Sequence, residues 1–238
     1  MSHEVEIHQA QTHILRELLF VDKAGFAVLQ KPTGLESDHF KFHIKRLLEL
    51  GYVEKVSGGQ YRLSLVGKEY ANKLDTDNNT IERQPKCAVI LVIEKTEHGQ
   101  QYILAQQRRK HPYFGFWGCP SGKIRWGETI LLTAARELFE ETGLRATCTH
   151  MGIYHEHAIE TETGRLLEDK IFHTVRCSDV RGELKTEFEG GLNAWFTPEE
   201  ALAKEKKFGS FELEIKIGLG RLRQRFIEAP AYYSSQQF

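Results

Sequence analysis

Apolar residues recur along this chain with two periods, and the prevailing period changes near residue 80. In THILRELLF, Ile14, Leu15, Leu18 and Leu19 fall at helical spacing, which predicts a first helix with one inner face. A short second helix holds Phe26, Val28 and Leu29, and Pro32-Thr33-Gly34 reads as a turn. Ser37 or Asp38 opens a third helix, SDHFKFHIKRLLEL, with Phe40, Ile44, Leu47 and Leu48 apolar, and Gly51 stops it. Two short strands, YVEKV and QYRLSL, flank the turn Ser57-Gly58-Gly59, and LVGKEYANKL closes the unit as a helix. Asp75 to Gln84 is polar and turn-rich, the composition of a linker.

Beyond it the pattern becomes mainly that of strands. CAVILVIEK is a continuous apolar run, hence a buried strand, and His98-Gly99 turns the chain into a second, QYILAQQRR. Arg108, Arg109 and Lys110 follow; such a cluster faces a substrate phosphate or, more commonly, sits solvated at a strand end. A helix is then predicted, with Ile130, Ala134 and Leu138 on one face and Leu131 and Ala135 flanking it. Thr129 stands where a cap belongs, and Gly143 where a left-handed C-terminal cap belongs. ATCTHMGIYHEH, LLEDKIFHTVRC and LNAWF are strand-like, and Thr197-Pro198-Glu199-Glu200 combines a cap, an N1 proline and a capping-box glutamate. A last helix carries Phe211, Ile215, Leu219, Leu222 and Phe226 on one face, weakened in its middle by Gly218 and Gly220. The expected organisation is a domain over 1–75, a linker over 76–84, a domain over 85–228 and a loose tail over 229–238.

Composition narrows the partners. Thirty-two Lys and Arg against 33 Asp and Glu leave no global charge that argues for nucleic acid or a membrane surface. No apolar run reaches spanning length, and MSHEVEIHQAQ is too polar for a secretory signal, so a cytoplasmic protein is expected. Cys87, Cys119, Cys148 and Cys177 are widely separated, which predicts buried free thiols in a reducing compartment.

The chemistry concentrates in the helix that starts near Ile130. Glu137, Glu140 and Glu141, at i, i+3 and i+4, share one side of it. Like charges so placed repel by a few tenths of a kcal/mol, and a hard divalent cation reverses the sign. Taken alone, the triplet fits a solvated acidic face equally well. Its surroundings decide between the two. Gly122 is followed after five residues by Glu128, and after seven more by Arg136-Glu137-Leu138-Phe139-Glu140-Glu141-Thr142-Gly143-Leu144. That is G-x5-E-x7-R-E-U-x-E-E-x-G-U with U apolar, a pattern met by chance about once in a million sequences of this size. The chain therefore resembles the Nudix hydrolase family. Trp117-Gly118-Cys119-Pro120-Ser121-Gly122 is similar to the W-x-x-P-G-G entry of that motif, with Ser121 replacing a glycine.

The resemblance implies an α/β fold, an α/β/α sandwich with a mixed sheet. It also implies Mg²⁺ or Mn²⁺ as cofactor and hydrolysis of the pyrophosphate bond in a nucleoside diphosphate derivative. Carried over position by position, Glu137, Glu140 and Glu141 are metal-binding and catalytic, the Ser121 carbonyl joins them, and Gly122, Glu128, Arg136 and Gly143 brace the motif. A further catalytic carboxylate from a later loop would be Glu189, with Glu187 second; an ordinary loop acid is an equal reading. Family members that favour ADP-ribose tend to carry a proline some way after the motif, and none lies between Arg145 and Pro198. Those that act on diadenosine polyphosphates tend to carry a tyrosine there, and only the early Tyr154 is available. The group attached to the diphosphate is therefore not legible.

The first 75 residues resemble a small winged helix-turn-helix domain of α+β type, most clearly in HFKFHIKRLLELGYVEK and YRLSLVGKEY. Its exposed third-helix residues would be His39, Lys41, His43, Lys45 and Arg46, candidates for contacting double-stranded DNA. The domain balances ten Lys and Arg with ten Asp and Glu, whereas DNA readers are usually basic. Homodimer formation or domain packing is the competing use. The leading expectation is a hydrolase, and the alternative is a transcriptional regulator whose second domain senses a nucleotide metabolite. His155 and His157 alternate on a strand and share a face. With no further ligand at a telling spacing, they read as exposed or packed histidines rather than zinc ligands.

Overall fold

The computed structural model describes residues 7–238, and the chain divides after Arg83 into two compact units. The opening residues read against a secretory signal lie partly outside the described ones.

The first unit contains α1 (Gln9–Leu19), β1 (Ala24–Gly25), α2 (Phe26–Gln30), α3 (Ser37–Glu49), β2 (Val53–Val56), β3 (Gln60–Leu63), α4 (Leu65–Ala71), β4 (Leu74–Asp75) and β5 (Thr80–Ile81). The helices lie where the apolar spacing predicts them, around a core of Ile14, Leu15, Leu29, Phe40, Ile44 and Leu47. A three-stranded sheet, β1-β3-β2, closes one side of that core with Val53, Tyr61 and Leu63. Ser64 caps α4: its Oγ accepts from the Gly67 amide at 2.9 Å. Helix α3 opens at Ser37, one of the two expected starts, and its cap residue, Glu36, makes no side-chain cap bond. The expected linker is partly ordered, because Asp75 Oδ1 accepts from the amides of Asp77 and Asn78 at 2.9 and 3.2 Å and folds the turn between β4 and β5.

The second unit is built on a mixed sheet. Its elements are β6 (Lys86–Glu97), β7 (Gln100–Arg108), β8 (Trp117–Gly118), β9 (Ser121–Lys123), α5 (Ile130–Thr142), β10 (Arg145–Glu160), β11 (Leu166–Arg181), β12 (Glu187–Phe188), β13 (Gly191–Phe196), α6 (Pro198–Leu202), α7 (Phe211–Gly218) and β14 (Phe226–Tyr233). The strand order is β12-β13-β7-β6-β11-β10-β14, with β8 on β7 and β9 on β6. The β6/β11 and β10/β14 pairs are parallel and the others antiparallel. Alternation along β6 sends Val89, Leu91 and Ile93 to one face, where α5 covers them with Ala134 and Leu138. Ala88, Ile90 and Val92 go to the other, under Ile217 of α7. Helices therefore cover both faces of β6, and that strand buries both sides, which is why CAVILVIEK reads as a continuous apolar run.

Three expectations fail in the folded chain. The last helix stops at Gly218 instead of running to Phe226; Gly220 takes φ +67° and redirects the chain. Phe226 then opens β14, and the supposed loose tail from 229 onward continues that strand, paired in parallel with β10 from Ile153 to Glu160. Strand pairing outweighs the weak local signal of APAYY because Ala231 and Tyr233 bury against Tyr113 and Phe116. Nor are all four free thiols buried: Cys87 is exposed, and Cys148 and Cys177, opposite each other on β10 and β11, bring their sulfurs to 3.7 Å.

Candidate active site

The three motif glutamates are presented by α5. Thr129 caps it, with Oγ1 accepting from the Leu132 amide, and Gly143 ends it at φ +75°, a conformation costly for residues with a Cβ. The buried face is Thr133, Ala134, Leu138 and Thr142; Leu131 and Ala135, expected beside it, are exposed. That rotation places Glu137 at the edge of the core, directly over β9. A Cβ on Gly122 would lie 1.9 Å from the Glu137 carboxyl carbon. The glycine is thus required by the close approach of this carboxylate to the β9 backbone.

Arg136 organises the rest. Its Nε and Nη2 hold Glu128 at 2.7 and 2.8 Å, and Nη2 also reaches the Lys123 carbonyl at 3.1 Å. Its Nη1 donates to Glu137 at 2.6 Å and to Glu140 at 3.1 Å. Thr133 adds a hydroxyl to Glu128 at 2.8 Å. The hydrogen bonds from Arg136 lower the Glu128 pKa to about 2, and the same bonds raise that of Arg136. One guanidinium therefore ties the entry loop to the acidic side of the helix.

The glutamates differ in surroundings. Glu140 is exposed, and Arg125 approaches it at 3.3 Å in addition to Arg136. Glu141 is half-buried, and burial raises its pKa; a 3.0 Å hydrogen bond from Gln106 Nε2 and the charges of Lys110 and Arg108 work the other way. Gln106 also donates to Asn193 Oδ1 at 3.3 Å, while Asn193 Nδ2 donates at 2.9 Å to the carbonyls of Glu141 and Lys185. Gln106 of β7 and Asn193 of β13 are opposite each other in register. Both escaped the sequence reading, although a polar residue inside LNAWF was an available signal. The oxygen-only donor set and the partly desolvated Glu141 suit a hard divalent cation.

Ser121 is exposed on β9 beside Gly122. Glu189 occupies the exposed turn between β12 and β13, which the Arg109 amide anchors through the Gly190 carbonyl at 2.9 Å. Glu187 is engaged by Arg109. Among the described residues, neither acid is hydrogen-bonded to the three motif glutamates. The basic cluster at the end of β7 is thus divided: Arg109 pairs with an acid, while Arg108 and Lys110 lie within electrostatic range of Glu141.

In the first unit, His39, Lys41, Lys45 and Arg46 are exposed on α3. His43 is not: it is half-buried, stacked on His8 with ring centroids 4.5 Å apart, and burial lowers its pKa. The expectation of an exposed His43 fails because α1 begins against that side of α3. Lys41 is paired with Asp38 at 3.0 Å, and Glu49 takes Lys45 at 3.9 Å and Arg46 at 3.4 Å.

Comparison with known proteins agrees with this geometry. The NUDIX domain family matches residues 83–215. The chain is 34% identical over 93 residues to the ADP-ribose pyrophosphatase of Methanocaldococcus jannaschii, a match covering 37% of this chain and 53%, about half, of that relative. It is 29% identical over 106 residues to the CTP pyrophosphohydrolase of Escherichia coli, covering 44% of this chain and 73% of the relative. In fold it is similar to the NUDIX domain of Shewanella oneidensis NrtR, solved with ADP ribose: the TM-score is 0.51 and the identity 17%, over 67% of this chain and 99% of that one.

Proposed function

The chain belongs to the NUDIX domain family, and from that premise we propose that it hydrolyses the pyrophosphate bond of a nucleoside diphosphate derivative. The observation that carries the proposal is the complete carboxylate set on one side of α5, held by one arginine clamp. Glu137, Glu140, Glu141 and the Ser121 carbonyl would hold Mg²⁺ or Mn²⁺. When bound, the ion neutralises phosphate oxygens and acidifies a water. Arg136 orients Glu137 and Glu140, and Gln106 with Asn193 orients Glu141. Arg108 and Lys110, close enough to Glu141 to act on its charge, would meet the substrate's phosphates. The attacking water gives its proton to a carboxylate, Glu141 or Glu189. Displacement at phosphorus asks little covalent chemistry of the protein beyond this positioning.

The substrate class follows from two considerations. One relative is named for ADP-ribose and another for CTP, so a nucleotide is common to both. The stretch between Arg145 and Pro198 contains no proline, which weighs against a strict ADP-ribose preference. The test is a panel of nucleotide sugars, dinucleotides and nucleoside triphosphates with Mg²⁺ or Mn²⁺, for the wild type, Glu140→Gln and Glu141→Gln. Turnover by the wild type, lost in both variants with the fold retained, is expected. Near-full activity in either variant overturns the metal assignment.

The first unit supports an additional reading. Three helices followed by the β2–β3 hairpin fit a winged helix-turn-helix, with α3 as the helix that would meet DNA. Its exposed cations are already paired with acids on the same helix. DNA binding by one copy would therefore be weak, and a homodimer that doubles the phosphate contacts would be needed. A cytoplasmic regulator that senses a nucleotide is the alternative to catalysis. Metal binding without turnover on any panel member, together with salt-sensitive DNA binding lost in Lys45→Ala/Arg46→Ala, would favour it.

A further inference from the structure

A second cluster of metal-type side chains lies on the central sheet, on different elements from the motif glutamates. Alternation on β10 puts His155 and His157 on one face, and their rings stand 4.4 Å apart between centroids. The neighbouring strands complete the group. Asp169 of β11 is the register partner of His157, and Glu228 of β14 is the register partner of His155. One ligand atom from each of His155, His157 and Asp169 lies within 4.8 Å of the other two. Asp169 Oδ1 is 2.8 Å from His155 Nε2 and 3.8 Å from His157 Nε2. Ligands about 2.1 Å from a tetrahedral zinc stand about 3.4 Å apart, so these separations bracket the required value. On the far side of the ring, Glu228 Oε1 is 2.8 Å from His155 Nδ1. A carboxylate on the second nitrogen is the arrangement that selects the tautomer and aims the first nitrogen at a metal.

We propose that His155, His157 and Asp169 form a binding site for a divalent transition-metal ion of the zinc type, with Glu228 as the residue that orients His155. Two imidazoles and one carboxylate favour zinc over magnesium, which prefers an all-oxygen shell. The three ligands leave a fourth position for water. His155 is mostly buried and His157 only partly so, which leaves a path for entry. The site is a product of strand order. Asp169 follows His157 by twelve residues and Glu228 by seventy-one, and only the β11-β10-β14 arrangement makes them neighbours. A metal held there would tie β10 to β11 directly and to β14 through the Glu228 hydrogen bond.

The competing reading is a histidine held between two carboxylates with no affinity for metal. Zinc binding to the chelator-stripped full chain separates them, measured by competition with a chromophoric chelator in millimolar Mg²⁺ to saturate the oxygen site. The wild type is expected to bind one zinc. His157→Ala and Asp169→Asn should each abolish that stoichiometric binding, and Glu228→Gln should weaken it about 10- to 100-fold. His150→Ala should change nothing, although His150 and His173 form another close pair at 3.2 Å. Cobalt in place of zinc gives an independent signature: visible absorption of a four- or five-coordinate ion, present in the wild type and absent in His157→Ala. A zinc stoichiometry of zero, or one that persists unchanged in either His157→Ala or Asp169→Asn, overturns the proposal.

Discussion

Glu214 offers the most quantitative test of how this fold holds its charges. It lies on α7, fully buried, and accepts from Ser210 Oγ at 2.7 Å. Burial raises its pKa from 4.5 to about 7, Glu156 adds to the rise, and Ser210 and Cys119 oppose it. An acid with a raised folded pKa keeps a proton that the unfolded chain has released. Stability therefore falls as pH climbs from about 4.5 to about 7 and falls no further above that window. At ~1.4 kcal/mol per pH unit, the whole loss is about 3 kcal/mol, with no discount for solvent because the group is enclosed. Glu214→Gln keeps the shape and removes the charge. The variant should match the wild type near pH 4.5 and exceed it by about 3 kcal/mol at pH 8. Urea unfolding followed by tryptophan fluorescence measures this in the right unit, since Trp117, Trp126 and Trp195 all lie beyond Arg83. A difference between variant and wild type that is the same at pH 5 and pH 8 would refute the reasoning.

Other substitutions probe the site itself. Gly122→Ala places a methyl where the Glu137 carboxylate sits, and that side chain can swing away. Stability should fall by only about 1 kcal/mol while Mg²⁺ affinity, read by isothermal titration, drops at least about tenfold. Asn193→Ala leaves the Glu141 and Lys185 carbonyls without their buried donor, a cost of about 1–3 kcal/mol in urea unfolding, with a fall in kcat that Asn193→Asp does not restore. Glu128→Gln loosens the Arg136 clamp without touching the metal ligands and should lower the rate less than Glu140→Gln does.

The sequence legibly specified whatever depends on neighbours along the chain. Helical spacing located α1, α3 and α5, the Thr197 capping box located α6, and the run CAVILVIEK located the strand buried on both faces. The motif from Gly122 to Leu144 is of the same kind: its glutamates share a helix side because 3.6 residues make a turn. What the sequence left unread are relations between distant segments. Strand order alone makes Gln106 and Asn193 partners beside Glu141 and brings Asp169 and Glu228 to the two histidines of β10. It also turns an apparently loose tail into β14, and α1 withdraws His43 from the exposed side of α3. Local pattern reports which face of an element is apolar. Which element that face meets, and which side chains are carried along to meet each other, is settled by packing energy summed over the whole unit, and no single stretch of residues contains it.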